Sequence, residues 1–69
     1  DLPIMKAKAY IQDHKRCTTM EMAAHLDRPG DHLHVMRTME KLGKAITRTK
    51  EFNKKTHRWQ TIYRLREDN

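Results

Sequence analysis

The fold is decided by residues 20–48, which read MEMAAHLDRPGDHLHVMRTMEKLGKAITR. The first part is an amphipathic pattern whose apolar members are Met22, Ala23 and Leu26. Pro29 interrupts this pattern, and proline both ends a helix and suits the first turn of the next one. A second helical pattern then runs to Gly43, the residue type expected just after a last turn. The stretch therefore predicts a helix, a turn, a longer helix and the start of a strand.

The longer helix separates apolar from cationic residues. Its apolar stripe is predicted to comprise Leu33, Val35, Met36, Met39 and Leu42. Its opposite face is predicted to carry His34, Arg37 and Lys41, with Thr38 at the border. Charges opposite an apolar stripe ordinarily mark a solvated helix face. They also suit the major groove of B-DNA, which admits an α-helix and offers base edges to Arg and Thr.

Two further helices precede this one. Ile4, Ala7 and Ile11 recur at helical spacing near the start of the chain. Thr18 followed by Glu21 gives the T-x-x-E signature of a capping box, in which the two side chains satisfy amides at a helix start. The three helices are therefore predicted at about residues 3–15, 19–27 and 29–42, with residue 31 as the alternative start of the third.

After Gly43 the pattern changes from helical to strand-like, because β-branched and aromatic residues become frequent. Two antiparallel strands are predicted at about residues 45–51 and 58–65, joined by the polar segment NKKTH. Alternation places Trp59, Thr61, Tyr63 and Leu65 on one face of the second strand, and Gln60, Ile62 and Arg64 on the other. Tyr63 and Leu65 are expected to close the core.

Length and composition limit what the chain can do. Its 69 residues are expected to form a single domain, residues 1–69, with a thin core and a fraying polar tail at residues 66–69. A formal net charge of +6 and a pI near 9.8 favour a polyanionic partner such as DNA, RNA or an acidic membrane surface. One cysteine cannot form an internal disulfide and fits a reducing cytoplasm. No run is apolar enough for a membrane span or a signal peptide, and the missing initial Met suggests a piece of a longer protein.

The predicted hairpin is the most basic part of the chain. One carboxylate, Glu51, stands there against eight cations, which are Lys44, Arg48, Lys50, Lys54, Lys55, Arg58, Arg64 and Arg66. A charged tip with few apolar residues cannot hold a core together, but it can lie along phosphates and release their counterions. The alternative is an edge hairpin that lysines protect from aggregation.

Several motifs resemble those of a known family. TTMEMAAHL, residues 18–26, resembles the T-x-x-E-h-A-x-x-L pattern of winged helix-turn-helix proteins, where h is apolar. VMRTMEKLGKAITR, residues 35–48, is similar to the end of their recognition helix and its passage into the wing. LDRPGDHLHVMRTMEKLGKAI resembles the FeoC-like branch, and RWQTIYRL resembles small phage-encoded winged-helix proteins. The resemblance implies an α+β winged helix-turn-helix fold, with three helices followed by a two-stranded antiparallel β-hairpin wing.

The resemblance also implies sequence-specific binding of double-stranded DNA by a small transcriptional regulator of bacterial or phage type, cytoplasmic and nucleoid-associated. The third helix would enter the major groove and read bases through His32, His34, Arg37, Thr38 and Lys41. The wing would contact the phosphate backbone through Arg48, Lys50, Lys54, Lys55, His57 and Arg58. FeoC-like proteins often carry a cysteine cluster in the wing. This chain has no cysteine there, so an iron–sulfur role is not carried over.

Two other binding functions stay open. Winged helices also serve as protein-interaction modules, a role that would involve the first helix and Met20. A regulator of this kind can also bind a protein partner or self-associate on DNA. Single-stranded DNA or RNA would instead stack its bases on the aromatic residues Phe52, Trp59 and Tyr63, of which only Phe52 and Trp59 are expected to be exposed enough.

Catalysis and metal binding find no support in the sequence. The chain has no serine and no Gly-rich phosphate loop, so neither a catalytic residue nor a cofactor is assigned. His14 and Cys17 supply only two of the about four ligands that zinc needs, so no metal site is assigned either. Cys17 is interpreted as a small buried apolar group between the first two helices, with a redox-sensing thiol as the alternative.

Overall fold

Three helices and a three-stranded antiparallel sheet form the fold of the computed structural model, which describes residues 2–66. In chain order the elements are α1 (Leu2–His14), β1 (Arg16–Thr18), α2 (Thr19–His25), α3 (His32–Leu42), a 3-10 turn (Gly43–Ala45), β2 (Ile46–Asn53) and β3 (Arg58–Leu65). The predicted α+β class is confirmed. The first two helices and both hairpin strands lie within two residues of their predicted bounds. The predicted fraying of residues 67–69 lies outside the described residues.

The helical spacing in the sequence locates the core correctly on the first two helices. Ala7 and Ile11 of α1 are buried, and so are Met22 and Ala23 of α2. Leu26, the C-cap residue of α2, completes this cluster. These side chains recur at positions that only a helix brings to one face, so the periodicity alone identifies them.

The helix α2 begins with the predicted capping box. The Thr18 hydroxyl accepts a hydrogen bond from the Glu21 amide at 3.1 Å, and the Glu21 carboxylate accepts one from the Thr18 amide at 2.8 Å. Two amides that lack partners within the helix are thereby satisfied. With only seven residues, α2 gains little from its own length, so its start depends on this pair.

Thr18→Ala is expected to lower the free energy of unfolding by about 1 kcal/mol, because the cap loses its acceptor. Urea denaturation followed by circular dichroism measures the change. Thr56→Ala is the matched control: Thr56 is exposed in the hairpin tip, and a surface substitution of this kind changes stability by less than about 0.5 kcal/mol. Equal losses in the two variants would contradict the stabilising role of the capping box.

The helix α3 begins at His32, so of the two predicted starts residue 31 is within one residue and residue 29 is wrong. Asp31 is the N-cap, and its carboxylate accepts a hydrogen bond from the His34 amide at 3.0 Å. Pro29 and Gly30 lie in a turn, where Gly30 has a φ of 82°. A proline is compatible with a helix start but does not require one, and a glycine at positive φ followed by an Asp cap sets the later start.

The buried face of α3 is rotated relative to the predicted apolar stripe. Val35 and Met39 are buried as expected, but Thr38 is buried with them, at 4% exposure. Leu33 and Met36 are instead 50% and 36% exposed, so their assignment to the core is wrong. The five residues of the predicted stripe span more of the helix circumference than one packed face covers. The placement of Thr38 at the border of the exposed face is therefore wrong as well.

The strand β1 was not predicted, and it makes the sheet three-stranded rather than two-stranded. It pairs antiparallel with β3 and places Cys17 opposite Tyr63. The strand order is β1-β3-β2, so β3 is the central strand. Cys17 is buried, which confirms its interpretation as a small buried group between the first two helices. Three residues are too few to display a strand periodicity in the sequence.

The chain enters the hairpin through Gly43, the C-cap of α3, whose positive φ of 56° is a conformation that suits glycine. The strands β2 and β3 then form eight antiparallel residue pairs. Tyr63 is buried and Leu65 packs against the core, which confirms the prediction that these two residues close it. Arg66, predicted to fray, donates its backbone N–H to the Ala45 carbonyl at 2.9 Å and so extends the ordered chain.

The other face of the sheet, on the side away from Tyr63, also contains a fully buried apolar residue. Ile62 has an exposed fraction of 0%. In the register of the sheet it lies between Thr18 of β1 and Thr49 of β2. Alternation in the sequence predicts the face of Ile62 correctly but does not predict that this face is covered.

An ion-pair cluster covers Ile62. The Glu51 carboxylate bonds to the Arg64 guanidinium and lies 3.9 Å from that of Arg16. Glu51 and Arg64 lie on opposite sides of Ile62 along this face, so the side chains that join them cross over it. An exposed ion pair of this kind adds about 0–1 kcal/mol by itself. The register places the aliphatic parts of these side chains on the sheet face that contains Ile62.

Candidate functional site

Most of the net charge lies in one part of the chain. Residues 2–40 contain six Lys and Arg and five Asp and Glu, a formal charge of +1, whereas residues 41–66 contain nine and one, a formal charge of +8. In the structure residues 41–66 are the end of α3 and the hairpin. The carboxylate of the hairpin, Glu51, is already paired with Arg64 and Arg16. The other hairpin cations therefore produce a strong positive field.

Two cations lie along the face of the hairpin that continues from the core. The register places Arg48 opposite Tyr63 and Lys50 opposite Thr61. Both cations are exposed. Within residues 2–66, neither forms a salt bridge. An anion can therefore reach them without displacing a carboxylate of the described chain.

A side chain orders the hairpin tip. The Asn53 Oδ1 atom accepts hydrogen bonds from the amides of Lys55 and Thr56, at 2.9 and 3.3 Å. His57 closes the turn with a positive φ of 56°. Lys54 and Lys55 are exposed on this turn. The predicted tip residues are thus brought together at one end of the molecule by local hydrogen bonds.

The outward face of α3 combines apolar and charged side chains. Its exposed members are Leu33, Met36, Arg37, Glu40 and Lys41. Met36 and Glu40 line a groove of about 180 Å³ together with Arg48 of β2. The helix face and the hairpin face therefore share a boundary. Leu33 and Met36 were not among the predicted site residues because both belong to the predicted apolar stripe of the helix, and Glu40 was not among them either.

The predicted helix residues do not all reach this outward face. Arg37 and Lys41 are exposed on it. Thr38 is buried and offers no side-chain atom to a ligand while α3 is folded. His34 is half-buried, and its Nδ1 atom accepts a hydrogen bond from the Arg28 guanidinium at 3.1 Å. The His34 side chain is therefore tied to Arg28 of the turn between α2 and α3.

A cleft of about 650 Å³ separates the hairpin from the start of α2. The residues that line it include Thr19, Met20, His32, Arg58, Trp59 and Gln60. Two predicted site residues, His32 of the helix and Arg58 of the wing, thus meet at one cleft. The sequence does not show that His32 and Arg58 are close, because they are far apart in the chain and only its return through β3 brings them together.

Two aromatic side chains are exposed next to the cleft. Trp59 is 69% and Phe52 44% exposed. They face each other across the hairpin with ring centroids 5.6 Å apart, in a T-shaped contact. The ring of His57 makes a second edge contact with Phe52, at 6.3 Å. Tyr63, the third aromatic residue considered for stacking, is buried, as expected from its predicted place in the core.

Cys17 has the properties of a buried thiol. Burial raises the pKa of Cys17 to about 11, the Glu21 carboxylate adds to the rise, and the Arg16 guanidinium opposes it. At neutral pH the thiol therefore keeps its proton, whereas the thiolate is the reactive form. This environment disfavours the redox-sensing alternative.

Native Cys17 is expected to react with a thiol reagent at pH 8 at least about 100-fold more slowly than in urea, since its pKa rises from 9.0 to about 11. Absorbance after addition of DTNB, with and without urea, measures both rates. The raised pKa also makes stability depend on pH, because the folded state holds the Cys17 proton more tightly than the unfolded state. The contribution of this thiol to the free energy of unfolding is complete below pH 9 and is lost as the pH rises towards 11. Equal rates with and without urea would contradict the burial of this thiol.

Among residues 2–66, no group of three or more His, Cys, Asp or Glu side chains is arranged to hold a metal ion. No helix in that range has the length and apolar character needed to cross a bilayer. Comparisons with protein-family models, curated proteins and solved structures find no match for this chain. Function is therefore inferred from the residues and their geometry.

Proposed function

We propose that this protein binds double-stranded DNA sequence-specifically, as a winged helix-turn-helix transcriptional regulator. The observation that carries the proposal is the formal charge of +8 on residues 41–66, which form the end of α3 and the hairpin. Duplex DNA offers both a regular array of phosphates and a groove that accepts a helix. Charge concentrated on one part of a small domain favours one binding orientation over attraction at any point of its surface.

The order of the elements supports a winged-helix arrangement. The helices α2 and α3 supply the helix-turn-helix pair, and the β2–β3 hairpin, which follows them, supplies the wing. The strand order β1-β3-β2 anchors this wing to the helices through its central strand. With 11 residues, α3 is about 16 Å long and has one exposed face, dimensions that fit a major groove about 12 Å wide.

In this arrangement α3 reads the bases. Arg37 is exposed and forms no salt bridge within the described residues, so its guanidinium can donate to O6 and N7 of guanine. Glu40, on the next turn, can accept a hydrogen bond from the amino group of cytosine, and Met36 can contact the methyl group of thymine. Thr38 and His34 take no part, because the first is buried and the second is bonded within the turn.

The wing binds the phosphate backbone. Lys54 and Lys55 at its tip are exposed, and Arg48 and Lys50 continue the positive surface towards α3. Each phosphate neutralised by one of these cations releases condensed counterions, which makes the affinity fall with salt. Contacts of this kind set the orientation of the protein on the duplex and leave sequence reading to α3.

A salt titration of binding to a labelled duplex, followed by fluorescence anisotropy, tests the proposal. Four phosphate contacts from the wing predict a slope of about −3.6 in log K against log salt. Single-stranded DNA of the same sequence and an RNA duplex are the comparison ligands, and both are expected to bind more weakly. A flat salt dependence or an equal affinity for the RNA duplex would overturn duplex recognition.

Arg37→Ala is expected to weaken binding to a preferred duplex, selected from a random pool, by about 1–3 kcal/mol, because one bidentate base contact is lost. Binding to random duplexes should change by less than about threefold, since this contact carries sequence information only. The control is Lys8→Ala, which removes one exposed cation from α1 and should leave both affinities nearly unchanged. Equal losses on selected and random duplexes would contradict a base-reading role for Arg37.

Exposed apolar side chains favour a second candidate function, that of a winged-helix protein-interaction module. Leu2 and Met5 of α1 are 64% and 65% exposed and lie one helical turn apart, and Met20 of α2 is 71% exposed. Large apolar side chains left in solvent often belong to contact surfaces. NMR titration separates the two functions: duplex DNA should shift amides of α3 and the wing, whereas a protein partner should shift those around Met5 and Met20.

A further inference from the structure

The cleft beside the wing lies along an unpaired edge of the central strand. The strand β1 pairs only with residues 62–64 of β3. Within the described chain, residues 58–61 of β3 therefore have no strand on the side opposite β2. The cleft runs along this edge and is closed on its other side by the start of α2 and by His32. The base-reading role of α3 and the phosphate contacts of the wing do not use it.

Trp59 forms one wall of this cleft. It is 69% exposed, yet its ring is positioned by the T-shaped contact with Phe52. Tryptophan combines a large apolar surface with few rotatable bonds, so little conformational entropy is lost when a ligand stacks on it. A nucleobase is such a ligand, because its aromatic face stacks on a Trp ring whatever its sequence identity.

The other lining groups suit a nucleotide as well. His32 adds a second ring and Arg58 a cation, while Thr19 and Gln60 add hydroxyl and amide groups that can both donate and accept. No Asp or Glu of the described residues lines the cleft, so a phosphate meets no like charge. A volume of about 650 Å³ is typical of small-molecule sites and accommodates a nucleotide.

We propose that this cleft binds unpaired bases of a DNA strand that continues beyond the duplex held by α3 and the wing, so that the protein recognises a junction of double- and single-stranded DNA. A base stacks on Trp59, its edge bonds to Gln60 or Thr19, and its phosphate pairs with Arg58. The inference rests on the proposed duplex binding, which supplies the other half of the junction. Stacking adds affinity for the junction without adding base specificity.

Three DNA probes test the inference: a blunt duplex, the same duplex with a short oligothymidine overhang, and the oligothymidine alone. Trp59 is the only tryptophan of the chain, so quenching of protein fluorescence reports stacking on this residue directly. The overhang duplex is expected to bind about tenfold more tightly than the blunt duplex, the contribution of about one stacked base. Quenching is expected with the overhang duplex and not with the blunt one.

Two variants assign the effect to Trp59. Trp59→Ala should abolish the tenfold preference and change the affinity for the blunt duplex by less than about twofold. Trp59→Phe keeps a smaller aromatic face and should retain part of the preference, which separates stacking from any loss of hairpin structure. Gln12→Ala, an exposed substitution on α1, is the control that should retain the preference in full.

The outcomes distinguish this inference from the proposed function. Equal affinities for blunt and overhang duplexes, or a preference that persists in Trp59→Ala, would overturn the cleft site and leave duplex recognition intact. Failure to bind the blunt duplex, together with tight and quenching binding of oligothymidine alone, would overturn duplex recognition and support the cleft as a site for unpaired bases.

Discussion

Ile62→Ala is expected to lower the free energy of unfolding by about 3 kcal/mol. Ile62 is fully buried in the central strand, although it lies on the sheet face opposite Tyr63. Its truncation removes apolar carbons from beneath the Glu51–Arg64 ion pair and leaves a space that the paired strands can close only in part. Truncating a buried side chain is costly because the protein loses both the transfer free energy of the removed atoms and their contacts with the surrounding atoms.

Such a loss is a large share of the stability of this domain. A domain of 69 residues is expected to have an unfolding free energy of about 3–10 kcal/mol. At this size a loss of about 3 kcal/mol corresponds to a fall in Tm of about 12–24 °C. Thermal unfolding followed by circular dichroism measures the shift, and urea denaturation at 25 °C provides an independent value.

Leu33→Ala is the matched control for Ile62→Ala, since both truncate a branched aliphatic side chain to the same residue. Leu33 is 50% exposed on α3, so its truncation should cost less than about 1 kcal/mol. The apolar stripe predicted from the sequence implies the opposite order, with Leu33 in the core. A larger loss in Leu33→Ala than in Ile62→Ala would show that both residues are placed wrongly.

Lys54→Ala combined with Lys55→Ala is expected to weaken binding to duplex DNA by about 60-fold at about 0.1 M salt. Each phosphate contact adds about 0.9 to the slope of log K against log salt, so two lost contacts lower the slope by about 1.8. Between about 1 M and 0.1 M salt the concentration changes tenfold, and ten raised to the power of about 1.8 gives the loss of about 60-fold. Both lysines are exposed at the tip, so the variant should fold normally.

The control for this double variant is Lys6→Ala combined with Lys8→Ala, which removes the same amount of charge from α1. Lys6 lies 3.4 Å from Asp27, and Lys8 is exposed. Since α1 does not contact the duplex in the proposed arrangement, its variant should reduce the affinity by less than about fourfold through the general field alone. Anisotropy titrations at several salt concentrations measure both variants. Equal losses would mean that net charge, and not the wing tip, determines the affinity.

Features that depend on near neighbours in the chain could be predicted from the sequence. The helical spacing of Ala7 and Ile11 identifies the buried face of α1 because residues three to four positions apart share a helix face. The capping box of α2 lies within four residues, from Thr18 to Glu21. The strand alternation that brings Tyr63 into the core is equally local.

The errors concern features that distant residues determine. The strand β1 forms because Cys17 meets Tyr63 of the central strand, and no pattern in three residues reveals such a pairing. Thr38 is buried because of how α3 is rotated against its neighbours. Hydrophobicity alone cannot give this rotation when Leu33 and Met36 are also apolar.

The candidate site likewise has features that could be predicted from the sequence and features that could not. The positive charge of the wing could be predicted because it depends on composition only. The cleft could not, since His32 and Arg58 reach it only through the return of the chain into β3. His34 was assigned to the outward face, but Arg28 of the preceding turn bonds to its side chain, and a single-helix pattern does not contain such a contact between a turn and a helix.

The short strand β1 also affects the order in which the domain can fold. Its partners, residues 62–64, follow all three helices in the chain. During synthesis the helices are therefore made before the central strand, and Cys17 has no strand to pair with until Tyr63 has been made. Pairing between such distant segments closes a long loop and slows folding relative to a bundle of local contacts. We therefore expect this small domain to acquire its stability in one late, cooperative step, with its helices only transiently formed beforehand.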